Sequence, residues 1–278
     1  MPSSADGNDD PALDGVEAWL RSRSADLPGL FAHAVRQAID EVIDGPRTGR
    51  WSADQLEKTE KIYVGTKIEI VVRAALDLER AGKLDTVVDK QPVDFKWSFT
   101  SQWQIPTEAV GEICLVIGTK EDEALLDVGL VRCAEETLNP GRNKDGKRTL
   151  SQKGRTGVRW VVRGAALPSN FISTLDPALR AKVMRGGTGQ ARIRTLFTSL
   201  VERPIPRLAV ETVAQQRDPM RRLRADRGSA LPGLRVFSAR YGNKELVELG
   251  YPPLAPDEFM SVPLRVIERG GRASGPTR

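Results

Sequence analysis

From residue 16 to 43, apolar residues recur at helical spacing, with Leu27-Pro28-Gly29 as an interruption, so two helices are predicted there. Gly45-Pro46-Arg47-Thr48-Gly49 ends the second. Another helix is predicted over residues 52 to 78, broken near Gly65, with Ile62, Ile68, Val71, Val72, Ala75 and Leu76 along it. The period then changes. Residues 87 to 99 read as one or two strands, and residues 113 to 117 and 124 to 133 as further strands. Residues 138 to 157 are rich in glycine, basic and poor in apolar side chains, which predicts a long exposed loop. Residues 158 to 162 restore a strand before a linker near 164 to 169.

Beyond the linker the pattern restarts. A short helix is expected at 176 to 184, one at 189 to 201 with Thr188 as N-cap, and one from 207 to about 224. Strands are expected at 234 to 240 and near 262 to 266, with a short helix at 244 to 249 between them. Helix, tight turn, arginine-laden helix, then strand is the order of a winged helix-turn-helix. The chain therefore reads as α/β (α+β), with one domain over 1–163 and a second over 164–278. Residues up to about 12 and from 269 onward read as disordered tails.

At 278 residues, the chain has room for two cores of ordinary size. Its mean hydropathy of -0.35 is that of a water-soluble protein. No apolar run approaches the roughly 20 residues of a membrane span. The polar, acidic first ten residues are no secretory signal, so the expected location is cytoplasmic. Cys114 and Cys133, in apolar strand-like surroundings, are expected as buried free thiols. His33 is the one histidine and sits in a helical pattern, which leaves little room for histidine-based catalysis.

Charge separates along the chain. Through residue 140 there are 15 basic and 26 acidic residues, and from 141 onward 27 basic and 11 acidic. A carboxylate-rich half followed by an arginine-rich half suits a metal-using enzyme that grips a polyanion. Arg192, Arg194, Arg217, Arg221, Arg222 and Arg224 fall on the two expected helices of the second domain, where guanidinium groups suit phosphate and guanine contacts. Arg142, Lys147 and Arg148, with Lys144, are further candidate DNA contacts in the glycine-rich stretch. Gly141 to Arg148 nearly spells a phosphate-binding loop, but Arg148 stands where a Ser or Thr must reach Mg²⁺ and no apolar strand leads in. A nucleotide cofactor is excluded on that ground.

The candidate chemistry centres on Asp94-Phe95-Lys96. On a strand, Asp94 and Lys96 project from one face and Phe95 from the other. Asp85, nine residues upstream, can share a cation with Asp94, and Glu69 on the preceding helix offers another carboxylate. Two acids and a lysine suit metal-assisted phosphodiester hydrolysis. A bare Asp-x-Lys is weak, since Asp145-Gly146-Lys147 repeats it in a loop. The competing reading makes these acids solvated strand ends. Two functional rivals stay open at this point: a non-catalytic winged-helix DNA-binding regulator, and a nicking or repair nuclease of the same core fold.

Seven ordered stretches carry a more specific signal: Asp44 to Arg50, Gln55 to Glu60, Gly65 to Glu69, Leu84-Asp85 with Val93 to Lys96, Leu138 to Lys147, Gly189 to Arg192 and Thr212 to Gln216. Through these the chain resembles the NaeI family of type II restriction endonucleases. The resemblance implies an endonuclease domain with a restriction-endonuclease-like PD-(D/E)xK core and a C-terminal CAP-like winged helix-turn-helix domain. It implies catalytic roles for Glu69, Asp85, Asp94 and Lys96, with Asp85, Asp94 and Glu69 as ligands of Mg²⁺. It further implies a homodimer acting on double-stranded DNA at a GC-rich palindrome such as GCCGGC, with a second duplex bound as effector.

Overall fold

The computed structural model describes residues 10–81, 83–215 and 231–273. The chain divides into two compact units, one made of Met1–Val42 and Glu57–Ser169, the other of Ile43–Leu56 and Asn170–Arg278. The boundary expected at 163/164 falls inside a strand, and the second unit takes in a segment from the N-terminal quarter. Among the described residues no helix is long and apolar enough to cross a membrane.

The first unit is built on a five-stranded mixed sheet of order β1-β2-β4-β5-β7. Its strands are β1 (Thr86–Val88), β2 (Gln91–Ser98), β4 (Ile113–Lys120), β5 (Leu125–Arg132) and β7 (Arg159–Ala166). β2 and β4 run parallel, and every other pair is antiparallel. β4 is buried along all but its last residue, which explains its unbroken apolar run and its central place. The helices are α1 (Pro11–Ser22), α2 (Leu27–Ile43), α4 (Lys58–Ala75) and the short α5 (Gln152–Thr156). Asp10 caps α1 by accepting from the Leu13 N–H at 3.1 Å, so this helix opens at Pro11, ahead of the expected start.

α4 runs through Gly65 without a break. Val64, Ile68 and Val72 form one buried stripe at four-residue spacing, and that packing outweighs the roughly 1 kcal/mol helix cost of a glycine. Residues 52 to 57 are not part of this helix. Ser52 and Gln55 close a capping box on a single 3₁₀ turn, and Glu57 with Glu60 opens α4 by a second one.

The expected loop at 138–157 is ordered structure. Leu138 bridges Leu150, β6 (Arg148–Thr149) pairs with β3 (Gln104–Ile105), and α5 follows under a Ser151 cap. Leu138, Leu150 and Val158 join Trp103, Ile105, Cys114 and Val131 in one core cluster.

In the second unit, α3 (Gly45–Thr48) packs against α8 (Arg207–Ala214), and Trp51 lies against the core of α7 (Gly189–Ser199) and α8. α6 (Pro177–Met184) opens on an Asp176 cap and α7 on the expected Thr188 cap. A three-stranded antiparallel sheet of order β8-β10-β9 is made by β8 (Ile205–Pro206), which lies between α7 and α8, with β9 (Leu234–Ser238) and β10 (Glu258–Pro263). α9 (Ala239–Glu248) lies between β9 and β10, and α10 (Leu264–Ala273) closes the described chain. The strand expected near 262–266 is therefore earlier, and the chain turns helical at Leu264. α8 stops at Ala214, where Gln215 takes a left-handed conformation, short of the expected end.

Candidate functional site

β2 supplies the centre of the site. Its register sets Asp94 against Cys114 and Lys96 against Val116 on β4. Phe95 points the other way and is buried, as two-residue alternation requires. The Lys96 ammonium meets Asp94 Oδ2 at 2.6 Å and also donates to the Phe95 carbonyl at 3.0 Å. Asp85, just ahead of β1, accepts from the Phe95 backbone N–H at 2.7 Å. That bond fixes the incoming acid to the middle of the Asp-x-Lys strand, with its carboxyl group in hydrogen-bonding reach of Asp94. Asp85, Asp94 and Lys96 are thus brought together.

Burial pushes the Asp94 carboxyl up to about 6; Lys96 pulls it down in part, and the charge and hydrogen bond of Asp85 add to the rise. Burial alone would lower Lys96, but the Asp94 carboxylate outweighs it and holds the ammonium above the usual lysine range. Glu69 on α4 is raised by burial and by the nearby Asp85 charge, against the lowering influence of Arg73, Lys96 and Arg80.

Glu69 belongs to a different pairing from the two aspartates. Its carboxylate meets Arg73, one turn along α4, at 3.2 Å. Among the described residues no three His, Cys, Asp or Glu side chains gather in a way that could hold a metal ion. Of the three expected ligands, Asp85 and Asp94 lie in hydrogen-bonding reach of one another, while Glu69 is engaged by Arg73. Two carboxylates fit Mg²⁺, which is commonly held by one or two carboxylates while keeping waters and substrate phosphates as its other ligands.

Sequence reasoning missed two neighbours of this cluster. Arg73 was signalled by its four-residue spacing from Glu69. Cys114 was not, because only the β2–β4 register brings its thiol to 3.9 Å from Asp94 Oδ2. Cys133 lies behind it, 3.0 Å between sulfurs, and both cysteines are buried free thiols, as expected. His33 is remote from this chemistry; its Nδ1 sits 2.7 Å from the Gly29 carbonyl.

The candidate DNA contacts divide. Arg142 is exposed and Lys147 partly so. Arg148 is buried, ion-paired with Glu135 and bonded to the carbonyls of Asn139, Glu135 and Leu138, so it holds the fold and cannot reach DNA. Arg194 is exposed on α7. Arg192 is instead a clip: it donates to the Val213 and Ala214 carbonyls at the end of α8, at 2.6 and 3.3 Å, and to Gly186 at 3.0 Å. Arg217, Arg221, Arg222 and Arg224 lie outside the described residues.

A mixed α/β unit with a central mixed sheet and this Asp–Asp–Lys arrangement is consistent with a restriction-endonuclease-like fold. Comparison with known proteins narrows the class. The family model described as restriction endonuclease NaeI matches residues 22–277. The type II restriction enzyme NaeI of Lentzea aerocolonigenes is 36% identical over 229 residues, spanning 79% of this chain and 71% of that enzyme. The molecule is a site-specific nuclease of the restriction class. It belongs to the NaeI restriction endonuclease family.

Proposed function

We propose that the chain hydrolyses both strands of duplex DNA with Mg²⁺, leaving 5′-phosphates, through Asp85, Asp94 and Lys96. The pairing of Lys96 with Asp94 at 2.6 Å, with Asp85 tied to the intervening backbone, is the observation that carries this reading. We read the first unit as a PD-(D/E)xK-type core. The order of α7, β8 and α8, then β9 and β10 closing one three-stranded sheet with β8, supports reading the second unit as a winged-helix DNA-binding unit. A homodimer acting at a GC-rich palindrome, with a second duplex as effector, completes the proposal by analogy with the family.

Each side chain has a distinct task. Asp85 and Asp94 would hold the cation, which when bound supplies positive charge to the phosphate and makes a nearby water more acidic. Lys96 has three N–H donors; two face Asp94 and the Phe95 carbonyl, and the third is left to orient water or meet a phosphate oxygen. Its charge stabilises the negative charge that builds on the phosphate in the transition state. Glu69 orders the surroundings through Arg73. Incubation of Asp94→Ala with plasmid and Mg²⁺ tests the assignment: shifted DNA without fragments is expected, and discrete fragments refute it.

A further inference from the structure

Residues 138 to 150 form a braced ribbon. The Asn139 side-chain amide donates to Thr149 Oγ1 at 2.9 Å and to the Leu150 carbonyl at 3.2 Å. At the tip, Asn143 Oδ1 accepts from the backbone N–H groups of Asp145 and Lys147, each at 2.9 Å, and the Asn143 N–H donates to the Lys147 carbonyl at 2.9 Å. The buried Arg148 guanidinium pins the base of the ribbon, as described above. The partner strand β3 is anchored by Trp103, whose indole N–H donates to the Ile117 carbonyl of β4 at 2.9 Å. β4 is the strand beside Asp94 and Lys96.

The groups held outward by this frame are those that read nucleic acid. Arg142, Lys144 and Asn143 are exposed at the tip, and Lys147 is half-buried beside them. The Asn143 side-chain N–H points to Gln104 Oε1 at 3.3 Å. Among the described residues, the amide nitrogen of the exposed Gln104 has no hydrogen-bond partner. A two-stranded ribbon fits the major groove, where amides and guanidinium groups pair with base edges in defined geometry. Lysine heads suit phosphates, which set position without reading sequence. A strap that only attracted phosphates would need neither the bracing nor the paired amides.

We infer that this ribbon, with Gln104 beside it, is the base-reading element of the first unit; the inference rests on the proposed cleavage of duplex DNA at specific sites. Arg142, Asn143 and Gln104 meet base edges in the major groove, and Lys144 and Lys147 grip the flanking phosphates. The test uses the full chain carrying Gln104→Ala, Asn143→Asp or Lys144→Ala. Asn143→Asp keeps the oxygen that caps the turn and deletes the amide donor, so the ribbon survives. Binding is followed by fluorescence anisotropy in EDTA over a range of salt. The probes are duplexes with the wild-type site, mapped from digest ends, and its single base-pair variants.

Gln104→Ala is expected to narrow the preference for the true site about tenfold at particular base pairs with the salt dependence unchanged, and Asn143→Asp to narrow it likewise on top of a general, salt-dependent loss from its added negative charge. Lys144→Ala is expected to weaken all duplexes alike and to reduce the log–log salt slope by about one. Unchanged preference in both amide variants, or uniform weakening of every duplex by Gln104→Ala, overturns the assignment. If the wild-type chain itself shows no preference, the site-specific reading and the ribbon's role fall together. If it shows a preference that the variants keep, only the ribbon's role falls.

Discussion

At the scale of single residues, the candidate site centres on the Lys96–Asp94 ion pair. On the proposed mechanism, Lys96→Ala removes the positive charge set against the developing phosphate charge. Its cleavage rate is expected to fall a hundredfold or more, roughly the loss seen when one preorganised donor is deleted, and single-turnover kinetics would read it. Asp94 gives a pH dependence of known sign. Its folded-state value, about 6, lies above the ordinary 3.8, so the folded chain binds the proton more tightly and metal-free stability declines as pH rises between them. A cation needs the ionised carboxylate. The rise in Tm on adding Mg²⁺ should therefore be small at about pH 5 and reach a few degrees by about pH 7.5. A Tm rise independent of pH would remove Asp94 from the ligand set. Asp94 and Lys96 were legible in the sequence because a strand has period two. The thiol of Cys114 was not, since contact across strands depends on a register that no local pattern prints.

At the scale of elements, the instructive case is residues 138–157. Polar and glycine-rich composition pointed to a slack loop, yet its polar side chains replace the missing apolar packing: Arg148 and Asn139 bind the backbone of neighbouring turns, and Gly154 allows close approach of the Thr137 backbone. A Cβ at Gly154 would sit 2.2 Å from the Thr137 carbonyl oxygen. Gly154→Ala should cost about 2 kcal/mol by overpacking against backbone, measurable as a lowered urea midpoint. An unchanged midpoint would mean that α5 can shift away from Thr137 without loss. Helices and strands with a clear apolar period were read correctly in kind and order, including the Thr188 and Asp176 starts. Boundaries shifted where capping boxes, as at Ser52 and Glu57, or a left-handed residue, as at Gln215, overrode the period.

At the scale of the whole molecule, two units were anticipated, but not the passage of residues 43–56 from the first into the second. Nothing local announces it, because the partners of α3 lie far along the chain: a Cβ at Gly45 would meet Thr212 Oγ1 at 2.3 Å, and Arg180 stacks over Trp51. A fragment of residues 170–278 alone should melt earlier by circular dichroism than the same fragment mixed with a peptide of residues 43–56. Equal melting curves would show that the segment contributes nothing to that unit. The arrangement also bears on synthesis in the cell. The segment leaves the ribosome some 167 residues before Thr212 does, a delay of roughly ten to thirty seconds at ordinary elongation rates. Until the stretch from Asn170 onward emerges, Trp51 has no hydrophobic shelter from the rest of its own unit, so a nascent chain stalled before that stretch would be a natural client for chaperones.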